Sequence, residues 1–196
     1  MKKAFLALLL LCLSWLPARA DSPLTAGDFW EAYAEIPEVT RAHQLGQLDE
    51  RLCAFLLSSA PLDQKAALLN ALPFRPKELN CEILRAALAK KYAVEPKFVE
   101  ARLTGEEACC LGYVTARENF MAPEFGMPML KKARSRLPHS FTVAILDTLV
   151  NVQVDGIFHQ EKVWPAVAKM LNNKRLKNDM RPAARASILD YLKLYQ

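Results

Sequence analysis

The chain has 196 residues, 52% of them hydrophobic and 24% charged, a balance that buries a core of ordinary size and excludes intrinsic disorder. Its formal charge of +5 gives no support to nucleic-acid binding, because Lys2, Lys3 and Arg19 belong to an N-terminal leader and the remainder carries only about +2. That remainder is lopsided: residues 21–130 hold 11 basic and 16 acidic side chains, and residues 131–196 hold 12 basic and 5 acidic.

Lys2 and Lys3 precede an apolar run from Ala4 to Leu16, and Ala18-Arg19-Ala20 closes it with a small-x-small pattern. These features predict a secretory signal peptide over residues 1–20, cleaved before Asp21. A single all-helical domain is then expected over 21–196. The expected location is the periplasm, with full secretion as the second choice. The apolar run falls short of the roughly 20 residues that span a bilayer, and no later segment is longer and as apolar, so no membrane span is expected. Cys12 follows Leu9-Leu10-Leu11 without the small residue that precedes a lipid-modified cysteine, so no lipid anchor is expected either.

Beyond the leader, apolar residues recur at intervals of three and four, as in Phe29-Trp30-Tyr33, Leu52-Phe55-Leu56 and Ile83-Leu84-Ala87-Leu88. This is the helical period. Thr25-x-x-Asp28 and Thr104-x-x-Glu107 read as capping boxes, and Pro37, Pro61, Pro73, Pro76, Pro96, Pro123 and Pro138 mark boundaries. The pattern predicts helices near 26–36, 38–46, 49–59, 62–72, 77–92, 96–103, 105–120, 126–137, 140–153, 160–172 and 182–194. Val150 to Val154 alternates like a strand, but it has no partner strand and is read as the end of a buried helix. The fold class is therefore all-α: about ten short antiparallel helices in an irregular bundle or a short repeat-like stack.

Cys53, Cys81 and Cys109 are spaced by 28 and 28, which suggests a repeating helix pair. Gly126, Leu130, Ala133 and Pro138 resemble the second helix of a tetratricopeptide repeat over about thirteen residues. The preceding helix lacks that family's aromatic and small-residue positions. What the resemblance implies is close helix packing around Gly126 and Ala133.

The four cysteines past the leader, Cys53, Cys81, Cys109 and Cys110, would meet an oxidising compartment. Neighbouring cysteines seldom bond each other, so Cys53 or Cys81 is expected to bridge to Cys109 or Cys110. Free buried thiols are the alternative.

Motifs for known chemistries are missing: no Gly-x-Ser-x-Gly elbow, no His-Glu-x-x-His, no Cys-x-x-Cys and no phosphate-cradling glycine loop. His43, His139 and His159 are scattered and read as surface or capping residues, so no metal or cofactor is predicted and no catalytic residue is assigned. Glu106 and Glu107 could serve a glycoside hydrolase, but at the first turn of a helix acids ordinarily favour its positive end. Asp147, Asn151 and Asp155, spaced by four, form a polar stripe that either lines a groove or faces solvent. Phe29, Trp30, Tyr33 and Ile36 share a face suited to the core or, if left uncovered, to a partner.

Lys131, Lys132, Arg134 and Arg136, with Lys174, Arg175, Lys177, Arg181 and Arg185, concentrate positive charge in the last third. The eight from Lys131 to Arg181 are the candidate binding patch. The predicted function is an exported, non-enzymatic protein-binding module: an adaptor, assembly factor or inhibitor or immunity-type protein whose partner is another envelope protein. Two alternatives stand beside it: a cell-wall-acting hydrolase with a glutamate acid, and a binder of anionic lipid or wall polymer through the basic third.

Overall fold

The computed structural model describes residues 22–25, 27–156 and 159–196. The predicted signal peptide, residues 1–20, lies outside the described residues. Nine α-helices occur among them: α1 (Pro37–Leu45), α2 (Glu50–Leu56), α3 (Leu62–Ala71), α4 (Asn80–Tyr92), α5 (Gly105–Glu118), α6 (Met127–Arg136), α7 (Phe141–Gly156), α8 (Val163–Leu171) and α9 (Pro182–Leu192). Short 3-10 turns at Phe29–Tyr33, Pro96–Ala101, Pro123–Gly126, Gln160–Lys162 and Lys193–Tyr195 lie among them. No strand occurs among the described residues; one isolated parallel bridge joins Ser140 to Lys177. No described helix is long and apolar enough to cross a membrane.

Predicted boundaries hold closely at the Thr104 cap and at several prolines, whereas the Thr25-x-x-Asp28 box does not start a helix: the first turn begins at Phe29, and Asp28 before it makes no side-chain cap. Thr104 accepts from the Glu107 N–H while the Glu107 carboxylate accepts from the Thr104 N–H, the reciprocal box that starts α5. Proline occupies the first turn of α1, α6 and α9, where its missing N–H costs nothing. Val150 to Val154 is helical, as its burial against neighbouring helices allows.

Two expected helices are short 3-10 turns instead. The segment predicted as 26–36 forms only the Phe29–Tyr33 turn. There the Trp30 N–H, a donor that a longer helix would use, goes to Asn70 Oδ1 at 3.0 Å, and the Tyr33 hydroxyl donates to Asp63 at 2.7 Å. These tertiary bonds and Pro37 end the helix early. The segment predicted as 96–103 is a 3-10 turn ending at Ala101, hemmed between Pro96 and the Thr104 cap.

The helices share one core. α5 and α7 are its centre: α5 packs on α3, α4, α6 and α7, and α7 touches α3, α5, α6 and α8. Phe29 and Tyr33 are buried in this core, so the aromatic face of the first turn is used internally. The 28-residue cysteine spacing does not mark a repeat, because Cys53, Cys81 and Cys109 are the fourth, second and fifth residues of helices 7, 13 and 14 residues long.

The close packing expected around Gly126 and Ala133 is present. A methyl group on Gly126 would lie 2.2 Å from the Gly112 carbonyl oxygen, and one on Gly112 would lie 2.9 Å from both the Gly126 oxygen and the Leu130 nitrogen. Only glycine permits that approach of α5 to the start of α6. Leu130 and Ala133 are fully buried behind it.

Candidate functional site

Because Leu130 and Ala133 turn inward, residues one position further along α6 turn outward toward α7. Lys131 and Arg134, three residues apart, share that face with Met127 and Pro128. α7 presents Asp147 and Asn151, one helical turn apart, and Glu124 completes the lining. Together they line a cleft of about 580 Å³ with mostly apolar walls. Part of the polar stripe thus lines a groove; Asp155, the third member, is exposed and is not among the lining residues.

Inside the cleft, Asn151 Nδ2 donates to Asp147 Oδ1 at 3.1 Å and to its backbone oxygen at 2.7 Å. Arg134 Nε is 3.7 Å from Asp147 Oδ2, and Arg134 Nη1 is buried without a hydrogen-bond partner. Burial pushes the Asp147 carboxyl above its ordinary range, and Arg134 and Asn151 offset this only in part. Lys131 is exposed and has no ion-pair partner among the described residues. On the connection between α5 and α6 that also holds Glu124, Phe125 is 65% and Met121 72% exposed. No pattern in the sequence singles these two out, because both lie in the proline-containing connection between the helices predicted at 105–120 and 126–137, outside any helical period.

The acid pair sits elsewhere, in a cleft of about 350 Å³ at the start of α5. Lys65, 2% exposed, donates to Glu106 at 2.8 Å and to the Ser58 carbonyl at 2.7 Å. Glu107 accepts from Lys91, Tyr92 and the Thr104 N–H, each at 2.7 Å. Burial pushes its carboxyl up, but Lys91, Tyr92 and Thr104 together hold it below the ordinary range. Burial, with the Glu107 contact, pushes the Tyr92 hydroxyl up to about 12.

The basic residues of the last third divide by partner. Lys132 donates to the Glu100 carbonyl and Arg136 to the Leu103 carbonyl, closing the 3-10 turn that precedes α5. Arg181 lies over the Tyr33 ring, 4.4 Å from its centroid, and bonds Ala32 and Glu35. Lys174, Arg175 and Lys177 are exposed on the turn between α8 and α9, with no ion pair among the described residues. The eight candidates thus include three exposed turn cations, two residues in the α6–α7 cleft and three that brace other segments.

The expected disulfide is absent: Cys53, Cys81, Cys109 and Cys110 are buried free thiols, with no pair at bonding distance. Cys109 and Cys110 point about 100° apart on α5 and so meet different neighbours, and Cys81 directs its sulfur toward Glu82 at 3.9 Å. Burial and Asp49 push the Cys53 thiol up to about 11, and burial with Glu118 pushes Cys81 up to about 12. Such thiols behave as small apolar residues. The histidines are dispersed: His43 stacks on Trp30, His139 accepts a backbone bond from Lys177, and His159 lies 3.3 Å from Glu161. Among the described residues no cluster of three histidine, cysteine or acidic side chains could hold a metal ion.

No protein-family model, curated protein or solved structure matches this chain.

Proposed function

We propose that the chain is an exported, non-enzymatic protein-binding module of the cell envelope, working as an adaptor, assembly factor or inhibitor, and that it holds a segment of its partner in the α6–α7 cleft. The observation that carries this reading is one mostly apolar cleft that has an unpaired cation, Lys131, in its wall, with exposed Phe125 next in the chain to the lining residue Glu124. An exposed aromatic side chain on the element that supplies part of a polar-rimmed groove suits a protein partner. The segment that fits presents an apolar side chain to Met127 and Pro128 and a carboxylate to Lys131. The exported setting rests on residues 1–20 and is checked by N-terminal sequencing of the protein recovered from the periplasm, expected to begin at Asp21.

Affinity capture from envelope extract, with Phe125→Ser and Lys131→Glu run beside the unaltered chain, tests the reading. One stoichiometric protein retained by the unaltered chain and lost from both variants is the expected result. Retention that ignores both substitutions would refute the assigned cleft.

A second reading, binding of anionic lipid or wall polymer, is favoured by the exposed and unpaired Lys174, Arg175 and Lys177. Its signature is binding that weakens steeply with salt and with Lys174→Ala and Arg175→Ala. The hydrolase reading draws no support from Glu107, because a general acid must hold its proton near neutral pH and this carboxylate is kept ionised.

A further inference from the structure

A third cleft, of about 420 Å³, opens between the Phe29–Tyr33 turn, the end of α1 and the end of α3. Trp30 and His43 line it with their rings stacked, centroids 4.2 Å apart and planes inclined by 22°. Phe74 lines it as well and is 38% exposed.

Arg117, on the last turn of α5, also lines this cleft although it is only 4% exposed. Its Nη1 donates to three carbonyls at the end of α3: Leu69, Asn70 at 2.8 Å and Leu72 at 3.0 Å. Those carbonyls are the negative end of the helix and account for that nitrogen. The other two donating nitrogens remain. Nε is buried and bonds nothing, Nη2 makes no hydrogen bond among the described residues, and no carboxylate there pairs with the guanidinium. The Tyr113 ring, 5.8 Å from Cζ, offers only its face. A cap for α3 explains one side of this group. It leaves two neighbouring nitrogens without a partner: Nε, buried where an unmet donor is costly, and Nη2 beside it, which is not among the buried unpartnered atoms and is where the guanidinium can meet a carboxylate from the cleft.

Asp28 lines the same cleft, is exposed, and makes no side-chain hydrogen bond or ion pair among the described residues. The cleft therefore combines one unmatched cationic edge, one unmatched carboxylate and a flat aromatic face. A dianion such as phosphate is disfavoured by Asp28. A zwitterion with a flat apolar group satisfies all three.

We propose that this cleft binds a free aromatic α-amino acid, with its carboxylate on Arg117, its ammonium on Asp28 and its ring against the Trp30–His43 pair. The site is separate from the α6–α7 cleft and stands or falls independently of the protein-binding reading. Calorimetric titration of the purified chain with L-phenylalanine tests it. Saturable binding is expected, weakened about tenfold or more for L-phenylalaninamide, which lacks the carboxylate, and for N-acetyl-L-phenylalanine, which lacks the ammonium. Absence of binding by phenylalanine, tyrosine and tryptophan at about 10 mM overturns the proposal, as does equal binding of the amide. If the N-acetyl compound binds as well as phenylalanine, the role of Asp28 is overturned and a peptide C-terminus becomes the better ligand.

Arg117→Lys risks loosening the end of α3, so exposed positions carry the mutational test. Asp28→Asn and His43→Ala are each expected to weaken phenylalanine binding by about threefold to tenfold while leaving the circular dichroism spectrum and melting temperature unchanged. Unchanged affinity in both variants refutes the assignment.

Discussion

Glu107 is buried and Asp147 half-buried, and their surroundings treat these two carboxylates in opposite ways. Glu107 meets an ammonium, a phenol and a backbone N–H, each at 2.7 Å, and is held below the ordinary carboxyl range. Asp147 meets one amide and a guanidinium at 3.7 Å, and burial pushes it above that range. Burial alone therefore does not set the protonation of an acid; the number and closeness of donors decides it. The closed cluster at the start of α5 has used its hydrogen-bonding capacity internally. The α6–α7 cleft has left an arginine nitrogen and a lysine unmatched.

The most severe way to break this contrast is to move α6. Gly126→Ala places a methyl group against the Gly112 carbonyl, and a loss of about 3 kcal/mol is expected in urea unfolding, with the cleft distorted. Next comes Glu107→Gln, which removes the charge that Lys91 pairs with and leaves part of the buried donor set unmet. It is expected to cost about 2 kcal/mol at neutral pH.

The pH dependence follows the same division. The folded-state pKa of Glu107 is depressed, so its contribution is present above the unfolded carboxyl value of about 4.3 and is lost as pH falls through the folded value. Glu107→Gln should flatten that acid limb of the stability profile. For Asp147 the sign reverses: its folded pKa is raised, so stability falls as pH rises from the unfolded value, about 3.9, through the folded one. Asp147→Asn should remove this opposing slope and change stability at neutral pH by no more than about 1 kcal/mol in either direction. Finally, Phe125→Ser and Lys131→Glu, at exposed positions, should stay within about 0.5 kcal/mol of the unaltered chain. A larger loss would mean that these residues brace the fold and are not free for a partner.

Much of the scaffold was legible because its signals are local. Thr104 and Glu107 are three residues apart and cap each other, and the helical apolar period is carried by neighbours within two turns. The ingredients of the α6–α7 cleft were also visible, but as separate features: Lys131 and Arg134 within a basic patch, Asp147 and Asn151 within a polar stripe. That they face one another depends on how α6 and α7 pack. The aromatic first turn was read as a helix because its spacing is helical, yet the Trp30 N–H and the Tyr33 hydroxyl found partners in α3, about forty and thirty residues away. Arg117 carried no signal at all, since a single arginine in a helical period looks like any solvated cation.

By itself the sequence determined what is encoded within a few residues: helices in series, the α5 capping box, close packing at Gly126 and the lopsided distribution of charge. Tertiary structure alone decided which charges are matched. It turned Lys132, Arg136 and Arg181 back onto neighbouring segments, buried four cysteines as separate thiols, and left Lys131 and Arg117 Nε unmatched. The physical reason is range. A helical turn depends on neighbours along the chain, whereas the partner of a buried charge is chosen by elements that only packing brings together.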